Sequence, residues 1–403
     1  MPTGKIVMLL LMVVLLSSCW NRTELNELWV TAATGIDYRD GQWEVSYQII
    51  VPSAMAGGAG DGSGGGSQPA LHVYTVKGET IHQALNLSSL ETSRRIYVAH
   101  NRVLFIGKTA AKQGLDQLID YYFRNSESRE TVLMLYTDGD ASEMLKKLAP
   151  PEKLAGAAYA ELISKESKQV SIFPGTSVYD FALSLHSDAR GIGMPVAALK
   201  GEKSEENEKE LESIDIIKKT SAPLNMSLSK LAVFQEGRFA GLLNRKESLG
   251  LMWLAGKVQN TEIAFPCNDK KTKRSSYMIN SSHTQLVPKY NGYRYIMQVR
   301  VKVDGSIAEF GCKKNLSKTS EIKKLEKQIE KEIEDTIDAG WKGTQRLGVD
   351  TVGYGDIIHR KFPKKWRELK GNWPAEFRRM EIDVQVDALI RLPGLLQNHL
   401  GKK

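Results

Sequence analysis

A short apolar run near the start of the chain, closed by a cysteine, limits what the rest of the sequence can be. Residues Ile6–Leu16 are apolar and uncharged over 11 positions. A bilayer-spanning helix needs about 20 apolar residues, so this run has the length of a signal-peptide core instead. It ends in Leu16-Ser17-Ser18-Cys19, where small residues precede the cysteine. We therefore expect residues 1–18 to be a cleaved signal peptide.

Cys19 stands where a bacterial lipobox places its lipid-modified cysteine. There the thiol receives a diacylglyceryl group, and two acyl chains anchor a protein durably, at about 0.8 kcal/mol per buried CH₂. An ordinary signal peptide with a chance cysteine is the alternative. No later stretch approaches about 18 consecutive apolar residues, so no other segment is expected to span a membrane. The sequence thus predicts a soluble, exported body held at a membrane surface through Cys19.

Composition narrows the class of protein further. A length of 403 residues suggests two or three domains, and the formal net charge of +8 permits contact with anionic surfaces. Basic residues are mostly interleaved with acidic ones, and no basic stripe with interleaved aromatic residues occurs, so we expect no nucleic-acid partner. Three cysteines are too few for a disulfide-built scaffold.

Hydrophobic periodicity predicts a multi-domain α+β fold, with mixed or antiparallel sheets packed against helices. Gly305 is expected to turn the longest strand, and Gly340 to interrupt or end the longest helix. The predicted strands are Trp43–Val51, Leu71–Val76, Arg102–Gly107, Thr131–Tyr136, Leu231–Phe234, Arg238–Leu243, Tyr293–Val303 and Met380–Ile390. The predicted helices are Leu115–Phe123, Asp140–Leu148, Glu247–Ala255 and a long amphipathic helix over 318–345.

These patterns divide the mature chain into three expected α/β domains. A Gly/Ser-rich loop and a charged linker or exposed loop interrupt the first two, because the loop is of low complexity and the linker is almost entirely charged. The expected units are an N-terminal domain over 19–165 with the loop at 56–67, a middle domain over 166–225 with the linker at 201–212, and a C-terminal domain over 226–403.

The motifs that catalysis would require are missing from the sequence. Gly60-x-Gly62-x-x-Gly65 formally matches a dinucleotide fingerprint, but no helix pattern follows it. The seven histidines share no metal-ligand spacing, and no CxxC pair occurs. We therefore predict no catalytic residues, no metal and no cofactor, and a protein that is not an enzyme. The sequence does not show which distant carboxylates lie close together in the fold. A pair of catalytic acids like that of a glycosidase therefore stays open as an alternative.

Cys267 and Cys312 are the other two cysteines, and they flank the long strand region. An exported domain can keep a disulfide, which makes a bridge between them possible. The alternative is two buried free thiols that behave as small apolar residues.

Several motifs, taken in order, resemble the Ger(x)C family, the C subunits of nutrient germinant receptors in endospore-forming bacteria. The resemblance covers nearly the whole mature chain. It is carried by Cys19-Trp20-Asn21-Arg22, His100-Asn101-Arg102, Tyr122–Arg129, Leu231–Phe234, Gly241-x-Leu243 with Glu247-Ser248, Asp350-x-x-Gly353-x-Gly355, Pro363-x-x-Trp366 and Trp373.

The resemblance implies a lipoprotein on the outer face of the spore's inner membrane. It implies assembly with two integral-membrane subunits, A and B, in a receptor that responds to small nutrients and starts germination. It also implies an elongated chain of three α/β domains and no known enzyme activity. The glycines that follow Asp350 are expected either to permit positive φ after the long helix or to be plain turn residues.

Two other functions remain as competing hypotheses. A lipid-anchored solute-binding protein would itself capture the nutrient and would need a ligand cleft. A secreted cell-wall hydrolase would need a carboxylate pair or a metal site.

Overall fold

The computed structural model describes Gly4 and residues 27–51, 71–152, 154–266, 274–312 and 316–392. Cys19, Cys267 and the loop at 56–67 lie outside these residues, so the expectations for them stay predictions. The described residues form a mixed α+β structure with two sheets and helices packed against both. This confirms the predicted fold class.

The first sheet follows the order β3-β2-β1-β5-β6-β7-β8-β9, and β4 pairs with the start of β1. Its central strands β1, β5, β6 and β7 run parallel, and antiparallel strands flank them on both sides. All four residues of β5 are buried, as a short apolar run predicts for an interior parallel strand. The strands are β1 (Leu28–Arg39), β2 (Gln42–Ile50), β3 (Leu71–Gly78), β4 (Arg95–Tyr97), β5 (Val103–Ile106), β6 (Leu133–Tyr136), β7 (Gly191–Gly201), β8 (Leu224–Gln235) and β9 (Arg238–Leu243).

Helices cover both faces of this sheet. They are α1 (Ile81–Leu87), α2 (Lys108–Gln113), α3 (Asp116–Arg124), α4 (Ala141–Lys146), α5 (Ala155–Gln169), α6 (Val178–His186) and α7 (Glu205–Glu210). Helices α1, α2, α3 and α6 bury apolar side chains on one face, and α4 and α5 do so on the other. The two apolar clusters make this part of the chain a layered α/β structure.

The segment 201–212, predicted as a linker or exposed loop, is mostly exposed but contains helix α7. The Ser204 side chain caps this helix by accepting a hydrogen bond from the Asn207 N–H. Three glutamates in the first turn stabilise the helix, because their negative charges lie near the positive end of the helix dipole. The charges that suggested a linker therefore also support a short helix.

The second sheet has the order β10-β11-β12-β13, with β13 parallel to β12 and the other pairs antiparallel. Its strands are β10 (Glu262–Pro266), β11 (Arg274–Tyr290), β12 (Tyr295–Glu309) and β13 (Glu381–Leu392). The helices are α8 (Arg245–Leu254), α9 (Thr319–Leu347), α10 (Tyr354–Lys361), α11 (Pro363–Leu369) and α12 (Trp373–Arg379). The predicted long helix is thus confirmed, and its buried Leu325, Ile329 and Ile333 pack against the sheet.

Gly340 does not end the long helix, contrary to the prediction. It lies where α9 crosses α8, and a Cβ on Gly340 would stand 2.5 Å from the backbone carbon of Gly250. The glycine therefore permits a close approach of two helix backbones. The helix instead ends at Leu347, and the next residue, Gly348, caps it with a φ of +72°.

Gly305 does not turn the longest strand either, because β12 continues through it to Glu309. A Cβ at this position would lie 2.3 Å from the Met278 carbonyl oxygen on β11. The pairing register of β12 with β13 shifts between Gly305 and Ser306. The glycine thus accommodates a close contact and an irregularity inside the strand.

The boundaries predicted at 165 and 225 fall within the stretch of chain that builds the first sheet. One sheet can extend across two units, so its continuity does not define domains. The boundaries stay predictions.

Candidate functional site

The predicted site residues are mostly outside the described part of the chain. Cys19 and Cys267 lie there, so lipidation and the pairing of Cys267 stay predictions. Cys312 is buried, and its sulphur belongs to a disulfide. The Ser275 hydroxyl lies 3.0 Å from the Cys312 sulphur and accepts a hydrogen bond from the Gly311 N–H.

Asp350, in the motif that follows the long helix, is fully buried and accepts four hydrogen bonds. Its Oδ1 accepts from the N–H groups of Gly353 (2.9 Å) and Tyr354 (3.0 Å). Its Oδ2 accepts from the N–H of Gly355 (2.8 Å) and the indole Nε1 of Trp373 (3.2 Å). The carboxylate thus satisfies the first backbone donors of α10 and ties them to α12.

The two glycines of this motif have different roles. Gly353 has a φ of +85°, so its backbone requires glycine. The backbone of Gly355 is not in the left-handed region. A Cβ at this position would lie 2.9 Å from the ring of Trp366 and 3.2 Å from Nε1 of Trp373. One glycine therefore permits positive φ, as one alternative expected, and the other permits close packing.

Aromatic side chains surround the Asp350 carboxylate. Trp366 and Trp373 meet edge to face with ring centres 5.0 Å apart, and Trp341 contacts Phe377 at 5.2 Å. Burial in this apolar setting raises the pKa of Asp350, although the hydrogen bonds from backbone N–H groups oppose the rise. Enclosed in this way, the motif holds helices α10, α11 and α12 together. We call this structural lock the Asp350 lock.

The same helix α10 makes polar contacts with the loop between α6 and β7 of the first sheet. The Asp356 carboxylate accepts hydrogen bonds from the Ser187 hydroxyl (2.7 Å) and the Asp188 N–H (3.0 Å). Nδ1 of His359 contacts the Asp188 carboxylate. The Asp350 lock therefore also positions α10 against the loop between α6 and β7.

The residues His100-Asn101-Arg102 and Tyr122–Arg129, which contributed to the resemblance, have structural roles. The buried Asn101 side chain donates to the Thr34 hydroxyl at 3.0 Å. The Asn125 side chain accepts from the Glu127 N–H at 3.1 Å and so shapes the turn after α3.

A groove between α3 and α6, here the α3–α6 groove, has an exposed apolar wall. It encloses about 810 Å³, and Phe123, Tyr179 and Leu183 line it at 53%, 48% and 53% exposure. Charged residues form its rim, where Arg190 pairs with Glu236 at 3.3 Å. An apolar floor with a polar rim is the usual anatomy of a contact surface for a protein or a ligand.

A second cavity of about 820 Å³ lies on the other side of α3, against α1. Its lining is more polar and includes His82, Gln117 and Arg124. Helix α3 therefore stands between two depressions on one face of the first sheet.

Sequence reasoning missed the α3–α6 groove. The apolar residues of Leu115–Phe123 predicted a helix but did not show that Phe123, at its end, is 53% exposed. An aromatic residue at the edge of an apolar stripe was the available signal, but the neighbour α6 comes from a distant part of the sequence.

Among the described residues, no group of three His, Cys, Asp or Glu side chains is arranged to hold a metal ion. Within the same residues, no helix has the length and apolar character needed to cross a membrane.

Asp37 is a second buried carboxylate, at the end of β1. It accepts hydrogen bonds from the N–H groups of Ala141 (3.0 Å) and Ser142 (3.2 Å), at the start of α4. Burial is the main cause that raises its pKa to about 6. The side chain joins a strand to a helix more than a hundred residues away in sequence.

Asp37→Asn is expected to change how stability depends on pH. The folded-state pKa of about 6 lies above the usual value, so the folded state binds more protons between pH 4 and 6. The free energy of unfolding of the wild type therefore falls as pH rises through this window, by up to about 3 kcal/mol from this group. Urea unfolding at several pH values should show that the Asp37→Asn variant lacks this pH-dependent contribution. Curves that stay parallel would contradict the assignment, and the exposed Asp40→Asn is the matched control.

Two family models match the chain. The model described as "Spore germination protein N-terminal domain" matches residues 21–199, and the one described as "Spore germination B3/ GerAC like, C-terminal" matches residues 229–394. Together they cover more than half of the sequence.

Individual relatives agree with these models. Spore germination protein KC of Bacillus subtilis is 31% identical over 398 residues, which cover 97% of this chain and 96% of the relative. Spore germination protein GerQC of Bacillus cereus is 22% identical over 83% of this chain and 86% of its own. The crystal structure of the GerBC protein shares the fold, with a TM-score of 0.55 at 18% identity over 89% of this chain and 97% of that one. The chain therefore belongs to the Ger(x)C family of spore germination proteins.

Proposed function

We propose that this chain is the lipid-anchored C subunit of a spore germinant receptor. It acts by assembling with two integral-membrane subunits, A and B, on the outer face of the spore's inner membrane. The observation that carries the proposal is the match to spore germination protein KC over 97% of the chain. Membership of the Ger(x)C family supports a role in spore germination, and the proposal gives the chain no catalytic step.

The anchor of the proposal is Cys19. The apolar run before it and the small residues at its junction match the pattern of a lipidated bacterial protein. Anchoring there restricts the folded body to the membrane surface, where it meets the membrane subunits by lateral contact.

The α3–α6 groove is the contact surface that we assign to these subunits. Exposed apolar side chains on one face mark a surface that another molecule covers. Phe123 and Leu183 project their side chains from neighbouring helices, and the charged rim around them supplies the polar boundary of a protein interface.

The double variant Phe123→Asp with Leu183→Asp is expected to lose the A and B subunits on co-purification from spore membranes. Each buried aromatic or aliphatic contact contributes about 1–4 kcal/mol to such an interface, so recovery of the partners should fall at least tenfold. The side chains are already half exposed, and the fold should therefore tolerate both substitutions.

Leu90→Asp is the matched control, because Leu90 is 82% exposed and lines neither groove. Circular dichroism should show all three proteins folded. Equal recovery of the membrane subunits by the double variant and the control would assign their contact to another surface.

The size of the α3–α6 groove also favours a second candidate function, a solute-binding protein that captures the nutrient itself. A volume of about 810 Å³ falls within the range of small-ligand sites. Isothermal titration of the purified chain with amino acids and sugars separates the two functions, because an assembly subunit should release no heat of binding.

A further inference from the structure

The hairpin of β11 and β12 ends in a tip with two exposed tyrosines. Tyr293 is 95% exposed and Tyr290 is 45% exposed, and the basic residues Lys289 and Arg294 flank them. The Asn291 side chain accepts hydrogen bonds from the N–H groups of Tyr293 (3.1 Å) and Arg294 (3.0 Å). The turn is thus held in a fixed shape that keeps Tyr293 in solvent.

A second basic segment, the corner between α10 and α11, packs beside this tip. The Lys361 ammonium donates to the Pro288 carbonyl oxygen at 3.2 Å. The rings of Tyr295 and Phe362 lie 5.8 Å apart. Hairpin and corner therefore form one continuous surface, here called the basic tip.

The basic tip concentrates the positive charge of the protein. Residues 360–370 contain six basic residues and one acid, and the hairpin adds Lys289 and Arg294 opposite Glu381. Eight basic residues against two acids give a net +6, compared with +8 for the whole chain. All ten of these side chains are exposed. The members are Lys289, Arg294, Arg360, Lys361, Lys364, Lys365, Arg367, Glu368, Lys370 and Glu381.

We propose that the basic tip binds anionic lipid headgroups, with Tyr290 and Tyr293 at the level of the headgroups. Tyrosine has an apolar ring and a polar hydroxyl, which suits the membrane–water interface. Lysine and arginine near an anionic leaflet each add about 1 kcal/mol of attraction, or about fivefold in binding.

A membrane fits this surface better than an acidic protein does. The two grooves described above lie on the first sheet, and none of the residues of the basic tip lines either of them. The tyrosines stand at a hairpin end and not in a pocket that would receive a side chain of a partner. The inference does not depend on the lipid at Cys19, which lies at the other end of the sequence.

The test places an environment-sensitive NBD fluorophore on the tip of the full chain, through Tyr293→Cys. The protein is reconstituted into vesicles of phosphatidylglycerol or of phosphatidylcholine alone, and the wild type treated with the same reagent gives the background. The emission should shift to the blue on phosphatidylglycerol and stay unchanged on phosphatidylcholine. About 1 M salt should reverse the shift, because the Debye length then falls to about 3 Å.

Charge reversal of Lys289, Lys364 and Lys365 to Glu should lower contact of the tip with phosphatidylglycerol at least about 100-fold, because the loss of each positive charge alone costs about fivefold. The matched control reverses Lys200, Lys323 and Lys331, which are also exposed but lie elsewhere, and should keep the shift. Circular dichroism confirms that both triple variants are folded.

Equal emission on the two kinds of vesicle, or an equal shift in both triple variants, would overturn the proposal. A shift that requires co-reconstituted membrane subunits and not phosphatidylglycerol would also overturn it, since the tip would then dock on protein. Because the anchor stays intact in these variants, their failure is distinguishable from failure of the anchoring at Cys19.

Discussion

Cys19→Ala is expected to move the protein from the spore membrane fraction into the soluble fraction. Without the thiol no thioether to a diacylglyceryl group can form, and two acyl chains at about 0.8 kcal/mol per CH₂ are lost from the membrane. Fractionation of broken spores, followed by immunoblotting, measures the change. The wild type should stay in the membrane fraction almost completely.

The fractions should be washed with about 1 M salt, which screens any attraction between the basic tip and anionic lipid. Ser18→Ala is the matched control, because it changes the neighbouring small residue and keeps the cysteine. A Cys19→Ala protein that stays in the washed membrane fraction would show that another feature holds the chain there.

Asp350→Ala is expected to lower the free energy of unfolding by about 4 kcal/mol. Four donors, the N–H groups of Gly353, Tyr354 and Gly355 and the indole of Trp373, lose their acceptor in a buried site. A buried donor without an acceptor costs about 1–3 kcal/mol, and we take about 1 kcal/mol for each. Urea unfolding followed by tryptophan fluorescence measures the loss, because Trp373 is one of the partners.

Asp335→Ala on the exposed face of α9 is the control, and its unfolding midpoint should match that of the wild type. Asp350→Asn should also destabilise the protein, because its amide NH₂ group faces two of the four donors. A loss below about 1 kcal/mol for Asp350→Ala would mean that water replaces the carboxylate, and that the motif is not a structural lock.

Strands and long helices were predicted well because their signals are local. Alternation along Tyr295–Val303 follows directly from side chains that point to opposite faces of a sheet. Tyr293 was wrongly included in this strand, because it lies exposed in the turn before β12, and the predicted half-buried strand at Trp43–Val51 is buried on both faces. The stripe of Leu325, Ile329 and Ile333 identified the long helix in the same way.

The roles of the glycines could not be predicted, because they depend on distant neighbours. From the sequence, Gly340 suggested the end of the helix. The structure shows instead that it packs against Gly250 on α8, a contact that the sequence does not reveal. Gly305 looked like a turn for the same reason, since the Met278 carbonyl that it faces lies on another strand.

The buried carboxylates and the α3–α6 groove were also inaccessible to sequence reasoning. Asp37 caps a helix that begins at residue 141, and no spacing rule connects those positions. The groove needs helices from residues 116–124 and 178–186 side by side, which only the topology of the sheet provides. By contrast, the signal for Cys19 is local and was read from the sequence alone.

Lipid anchoring at Cys19 can be measured as the mass of the N-terminal peptide, taken from protein isolated from the spore inner membrane. We expect a peptide that begins at Cys19 and carries a diacylglyceryl group on its sulphur. A peptide that contains Cys19 without a lipid, in protein that is nevertheless held at the membrane, would contradict it.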